Sequence, residues 1–556
     1  MVTLLALLIA AAAPPARAAP AAHAAAHPAP GKAPERLEVA AWRSDLKLLA
    51  RELPNRHPAP FLHLSHAQWD SACASLERRL PALTRDQAMV GFMQLVALIG
   101  DAHTVMAPDS ALGLRFYPLE LYAFEDGLFV RRADAAHADL VGAEVLSIGR
   151  VSADAAMTLI ASVIPHENDQ WVRAWGPSQL MIPEMLHGLG VAAEVERLPL
   201  AIQRAGRVDT VIVSPAGRIA EQHAHGPFPI EMSDWTSMRS APAPWWEQHP
   251  GEPMWWMFDS RSKSLYVCMR EVSPAPQSAT NRSQWDQVFA LADSVQPARL
   301  VIDVRENTGG NGGLNRYPVQ QILRRPAIDR PDRLFVIIGR MTFSAAQQFT
   351  NLLEAWTRAT LVGEPTGQRP SQYGDHRPLR LPGIGMTAQI SSVFHQAPNE
   401  FDTRSFVPPR LFAPLTSQDY RQGIDPAMTA VLSPDTSGAI SDRIEHALAA
   451  GDSAGAEQAL QAARDALANR YRPFEREVNA LGYRLLAAGQ TVRALQAFRL
   501  NTRAYPRSAN TFDSLGEALL GAGHRDDAIA AYRTALEIEP GFTPSAQVLE
   551  RLGVHP

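Results

Sequence analysis

Three short segments carry residue types that could do chemistry together. In Thr342-Phe343-Ser344-Ala345-Ala346-Gln347, a serine follows an apolar strand pattern and a short turn, and opens a helical run from Ala345 to Trp356. A hydroxyl placed there sits in the positive end of a helix dipole, and the next N–H, on Ala345, can hold a developing oxyanion. Serine is also the ordinary residue of a helix N-cap, so the motif alone leaves both readings open. In Asp303-Val304-Arg305-Glu306-Asn307-Thr308-Gly309-Gly310, a buried-strand pattern runs into a glycine pair. Gly309 and Gly310 allow close backbone approach, and their N–H groups could face a substrate oxygen. The third segment, Leu361-Val362-Gly363-Glu364-Pro365-Thr366-Gly367, is another strand-to-loop transition.

Together and in this order, the segments resemble the serine peptidase family of the C-terminal-processing (tail-specific) and tricorn proteases. The resemblance covers roughly Glu38 to Leu432 and takes in the segment Gly100-Asp101-Ala102-His103-Thr104. It implies that Ser344 is the nucleophile and that the oxyanion hole is built from the Ala345 N–H and the Gly309 or Gly310 N–H. In one branch of the family the base is a lysine about 25 residues beyond the serine. Here that place reads Gly367-Gln368-Arg369-Pro370, and Lys32, Lys47 and Lys263 are the only lysines among 52 basic residues. Arginine is no general base near neutral pH, because its pKa exceeds 12. The tricorn-like branch instead uses a histidine from an earlier segment, and His103 matches it. Imidazole has the pKa to take the hydroxyl proton and return it to a leaving amine. The same branch uses an acidic residue downstream of the serine to orient the imidazole. Asp402, with Glu400 as the other choice, stands at about that place. Ala102 and Gln347 depart from the family pattern, where Ser and Glu stand. Asp303 and Arg305 read as structural supports of the glycine turn, and His376 as a loop residue.

The elements that must position these groups follow from patterning. The chain has 556 residues, 46% hydrophobic and 20% charged, with a net charge of −5. It can bury large cores, and it lacks the basic surface of a nucleic-acid protein. The expected fold is multidomain. Residues 1–18 read as a signal peptide, with the apolar run Leu4 to Ala13 and the small-x-small site Ala16-Arg17-Ala18. Export to the periplasm or the cell exterior follows from it. Residues 19–35 read as a disordered linker, 36–110 as an N-terminal helical domain, and 111–215 as a PDZ-like β-rich domain. Residues 216–262 read as a Pro- and Trp-rich connector, and 263–434 as a crotonase-like α/β peptidase core.

The tail, 435–556, reads as all-α tetratricopeptide repeats. Leu481-Gly482 recurs as Leu515-Gly516, Phe498 as Tyr532 and Pro506 as Pro540, each 34 residues on. Such a stack suits a protein partner. No run is apolar for long enough to span a membrane. Cys73 and Cys268 read as free thiols, too few for a cysteine-type zinc site. No metal or cofactor is expected. The expected function is a secreted serine endopeptidase acting on peptides or proteins. The alternative is a catalytically weak or inactive peptide- or ligand-binding protein on the same fold, acting through its repeats.

Overall fold

The computed structural model describes residues 36–219, 234–273, 280–433 and 439–555. The expected signal peptide and linker lie outside the described residues.

Six strands form the central sheet. Their spatial order is Leu411–Phe412, Thr360–Gly363, Leu334–Ile338, Arg299–Asp303, Ser264–Met269 and Met254–Asp259. All neighbours are parallel except the Met254–Asp259 edge, which is antiparallel. Side chains alternate between two cores, as the period of a strand requires. Leu265, Val267, Ile302 and Val336 face Trp285, Phe289, Phe349 and Leu353 of the helices Asn281–Val295 and Ala345–Trp356. Tyr266, Val301, Phe335 and Ile337 face Trp255 and the helix Pro426–Leu432. A sheet covered on both faces explains the unbroken apolar runs of these strands.

The edge strand Met254–Asp259 falls inside the expected connector. Its aromatic run has β character, and the prolines around it hide that signal. Trp255 is buried and packs on Tyr266 with ring centroids 5.4 Å apart.

The stretch expected to be PDZ-like holds an antiparallel sheet. Leu119–Phe124, Gly127–Ala133, Glu144–Ile148, Leu198–Arg204 and Arg207–Val213 lie side by side in that order. Helices Ala153–Ala161, Asp169–Gln179 and Pro183–Gly188 are inserted before the last two strands. Ser152 caps the first of them by accepting from Ala155 N–H.

The helical leader packs into a core that it shares with later segments. Reciprocal capping by Ser65 with Gln68, and by Thr84 with Gln87, opens helices His66–Arg79 and Arg85–Ala97. The chain then enters the strand Val105–Pro108, which pairs antiparallel with Met386–Ile390. Trp42, Leu49 and Phe92 of the leader share one core with Leu121 and Leu186 of the middle region and with Ile390. A long-range strand partner of this kind leaves no local mark in the sequence.

The C-terminal region is helical. Phe474–Ala487 with Thr491–Ala504, and Ala509–Gly521 with Arg525–Ile538, form antiparallel pairs. A Cβ at Gly482 would lie 2.5 Å from Phe498 Cζ, and one at Gly516 2.8 Å from Tyr532 Cε1. The recurring glycine thus makes room for the recurring aromatic. Arg470 docks the region, 2.9 Å from Glu125 and 4.5 Å over the Phe412 ring at the sheet edge. Among the described residues no helix is long and apolar enough to cross a membrane.

Candidate active site

The strand Leu334–Ile338 delivers Ser344 to the start of helix Ala345–Trp356. Ser344 has φ 53° and ψ −122°, a left-handed-side conformation costly for a residue with a Cβ. Its hydroxyl makes no capping bond to the helix. The surroundings hold this strained turn from several sides. Phe343 N–H donates to Asn307 O at 3.1 Å, and Thr342 Oγ1 donates to Val304 O at 2.9 Å. Ser344 N–H donates to Gln368 Oε1 at 2.7 Å, and Gln372 Nε2 donates to Ser344 O at 2.9 Å.

His103 lies between helix Arg85–Ala97 and strand Val105–Pro108, and its Nε2 is 3.0 Å from Ser344 Oγ. Two groups 241 residues apart in sequence therefore meet at hydrogen-bond distance. Buried Asp101 shapes the loop between them. It accepts from His103 N–H at 3.1 Å and from the hydroxyls of Thr104 and Ser391, both at 2.6 Å, and faces His57 Nε2 at 3.1 Å. Burial pushes the Asp101 carboxyl up, but the His57 hydrogen bond, the nearby His103 and the two hydroxyls outweigh it and hold Asp101 at about 2. The imidazole stacks on Phe343 at 4.4 Å, and Phe343 stacks on Trp171 at 4.1 Å. Burial lowers the His103 pKa to about 4, so the ring is neutral at pH 7.

The structure does not bring Asp402 or Glu400 to His103. Arg404, two residues on, captures Asp402 at 2.6 Å and also takes Glu354, while Glu400 is exposed. The partner of His103 Nδ1 is instead Gln368 Nε2, at 3.0 Å. Behind it, Glu167 is half-buried, accepts from Arg369 N–H at 3.2 Å and hydrogen-bonds Gln368. Burial, with Asp101 adding repulsion, raises the Glu167 carboxyl to about 8.

The glycine pair splits in role. Gly309 has φ 123°, and a Cβ there would lie 2.6 Å from Ser344 Cβ, so this backbone touches the serine. Its N–H, however, donates to Asn307 Oδ1 at 2.9 Å and is not available to a ligand. The Gly310 and Ala345 N–H groups have no partner among the described residues. Arg305 binds Asp303 at 3.1 Å and both oxygens of Asp425 at 2.9 Å, tying the turn to helix Pro426–Leu432. A cavity of about 800 Å³ opens in front of Ser344, His103 and Gly310. Met93, Met106, Trp171, Trp175, Ile182 and Met185 give it apolar walls, and His376 also lines it.

No family model and no curated protein matches the chain. Among solved structures, mature CPAF aligns with a TM-score of 0.50 at 15% identity, over 72% of this chain and 99% of that one. The chain is similar in fold to mature CPAF. Mature CPAF complexed with lactacystin aligns at 0.49 and 15% identity, over 69% of this chain and 96% of that one. The photosystem II D1 C-terminal processing protease aligns at 0.34 and 13% identity, over 71% and 98%. The likeness to CPAF is one of fold, and the reading of the site rests on the geometry above.

Two residues of that geometry escape a reading of the sequence. Gln368 is of a type that cannot serve as a base, and that type does not reveal what an amide does there. Glu167, in His166-Glu167-Asn168, belongs to no motif and is brought in only by the packing of the inserted helices.

Proposed function

We propose that this chain is a serine peptidase that hydrolyses peptide bonds through an acyl-enzyme on Ser344, with His103 as general base. The observation that carries the reading is the 3.0 Å approach of Ser344 Oγ to His103 Nε2, made by a serine at positive φ that caps nothing. In the reaction Oγ attacks the scissile carbonyl carbon while its proton passes to Nε2. The free N–H groups of Gly310 and Ala345 receive the carbonyl oxygen as it gains charge; one such donor is worth about 10²–10³ in rate. Collapse breaks the C–N bond, and the Nε2 proton goes to the leaving amine. Water then repeats the sequence on the ester and frees Ser344. The apolar cavity favours substrates with large apolar side chains beside the cleaved bond.

Export through residues 1–18 and a protein partner on the C-terminal helices belong to the same proposal. The weak-or-inactive alternative has one observation on its side: the partner of Nδ1 is an amide, not a carboxylate. The test is a peptide library with apolar residues at the cleaved position, together with a serine-directed covalent reagent. Wild-type protein should cleave members of the library and carry the label on Ser344. Ser344→Ala should do neither. A wild type that stays unlabelled and cleaves nothing overturns the proposal.

A further inference from the structure

The orientation of Gln368 is set from its oxygen end. Ser344 N–H can only donate, so the amide oxygen must face it, and does so at 2.7 Å. The amide nitrogen then faces His103 Nδ1 at 3.0 Å and also reaches the half-buried Glu167. An amide NH₂ is a donor only, so Nδ1 must present a lone pair to it. Neutral imidazole carries one proton, and that proton is left on Nε2, the atom 3.0 Å from Ser344 Oγ. In this tautomer Nε2–H donates to the hydroxyl. The lone pair that should accept the hydroxyl proton points away, into the amide.

We propose that Gln368 is a positioning residue that latches His103 in its non-basic tautomer, so that the resting site cannot deprotonate Ser344 until the amide lets go of Nδ1. The inference deepens the serine-peptidase reading and rests on it. Release is coupled to the nucleophile itself. A half-turn of the amide would offer Oε1 to an Nδ1–H, but it would set NH₂ against Ser344 N–H, donor against donor. The latch therefore opens only if the strained Ser344 peptide moves with it. The cavity places a bound substrate against that same residue.

Gln368→Glu tests this. The substitution keeps an acceptor for Ser344 N–H and puts one opposite Nδ1. Where a triad's orienting carboxylate is replaced by an amide, the wrong tautomer lowers kcat by about 10⁴. The reverse change should raise kcat/KM on a cleaved peptide by at least ~100-fold. The carboxylate should also move the acid limb of the pH profile upward from about 4, because it stabilises the imidazolium. A merely structural glutamine would give the shift of the acid limb, through the added charge, without the gain in kcat/KM.

The second measurement needs no turnover. In wild type labelled with ¹⁵N-histidine, the His103 signals are identified by their loss in His103→Gln. At pH 7 they should show a bare Nδ1 and a protonated Nε2. A protonated Nδ1 overturns the latch. So does a Gln368→Glu protein that melts like wild type, cleaves peptide and is no faster. If neither protein cleaves peptide or labels at Ser344, the peptidase reading fails, and the ¹⁵N spectrum still decides the tautomer on its own.

Discussion

Gly309→Ala puts the closeness of the Gly309 backbone to Ser344, the proposed nucleophile, to the test. The added Cβ would lie 2.6 Å from Ser344 Cβ and 3.1 Å from both Ser344 Oγ and Ala345 N. Gly309 cannot retreat easily, because its N–H is held by Asn307 and its carbonyl accepts from Val272 N–H at 2.7 Å. It also sits at φ 123°, where a side chain adds backbone strain of about 1–3 kcal/mol. Overpacking adds about 1–3 kcal/mol more. The cheapest relief is to push Ser344 away, and a displacement of about 1 Å is worth about 10² in rate. Thermal melting and peptide hydrolysis should be measured side by side. The expected result is a melting temperature lower by several degrees and kcat/KM lower by at least ~100-fold. A folded variant with wild-type kcat/KM would refute the placement of this turn against Ser344 as the reacting group.

Glu167→Gln should flatten the alkaline fall in stability. The carboxyl sits near 8 in the folded chain against an ordinary 4.5, so its contribution is complete below 4.5 and is lost as pH rises through about 8. His103, depressed from 6.5 to about 4, contributes fully above 6.5 and loses that as pH falls to about 4. Glu306, raised to about 7 by burial, and His187, raised by its bond to Asp86, also lose stabilisation above 6.5 in both proteins. Between 6.5 and 8 the part that the variant removes is therefore the loss from Glu167. The loss there is about 2 kcal/mol at about 1.4 kcal/mol per pH unit, read as a falling melting temperature; an equal fall in the variant would clear Glu167 as its source. Gly516→Ala should loosen the C-terminal helices by about 1–3 kcal/mol, since its Cβ would meet the Tyr532 ring at 2.8 Å. Limited proteolysis should nick that region first while peptide hydrolysis is unchanged; equal protection of variant and wild type would contradict the packing.

Much of the site's outline is legible in the sequence, and the limits have physical causes. Ser344, the glycine pair and His103 stand at strand ends and turns, where type and spacing are informative. The fold brings Ser344 and His103 to 3.0 Å. The orienting group is not legible, because several acidic residues lie downstream and only packing shows that Arg404 has taken Asp402. Gln368 shows the same limit from the other side. Its identity is plain, but the direction of its amide depends on Ser344 N–H, a contact that exists only in three dimensions. The strand Val105–Pro108 hides in a helical leader because its partner lies beyond residue 380.

That distant pairing also sets a timetable for synthesis. Asp101, which shapes the loop bearing His103, takes a hydroxyl from Ser391, 290 residues later. Closing so long a stretch of chain is entropically unfavourable, and contacts of such separation form late. A nascent chain at the ribosome carries Ser344 before it carries the strand Met386–Ile390 and the serine that follow it. Until those residues emerge, the His103 loop lacks the contacts that hold it beside Ser344. On the serine-peptidase proposal, the pair of Ser344 and His103 is therefore completed only as the far strand closes.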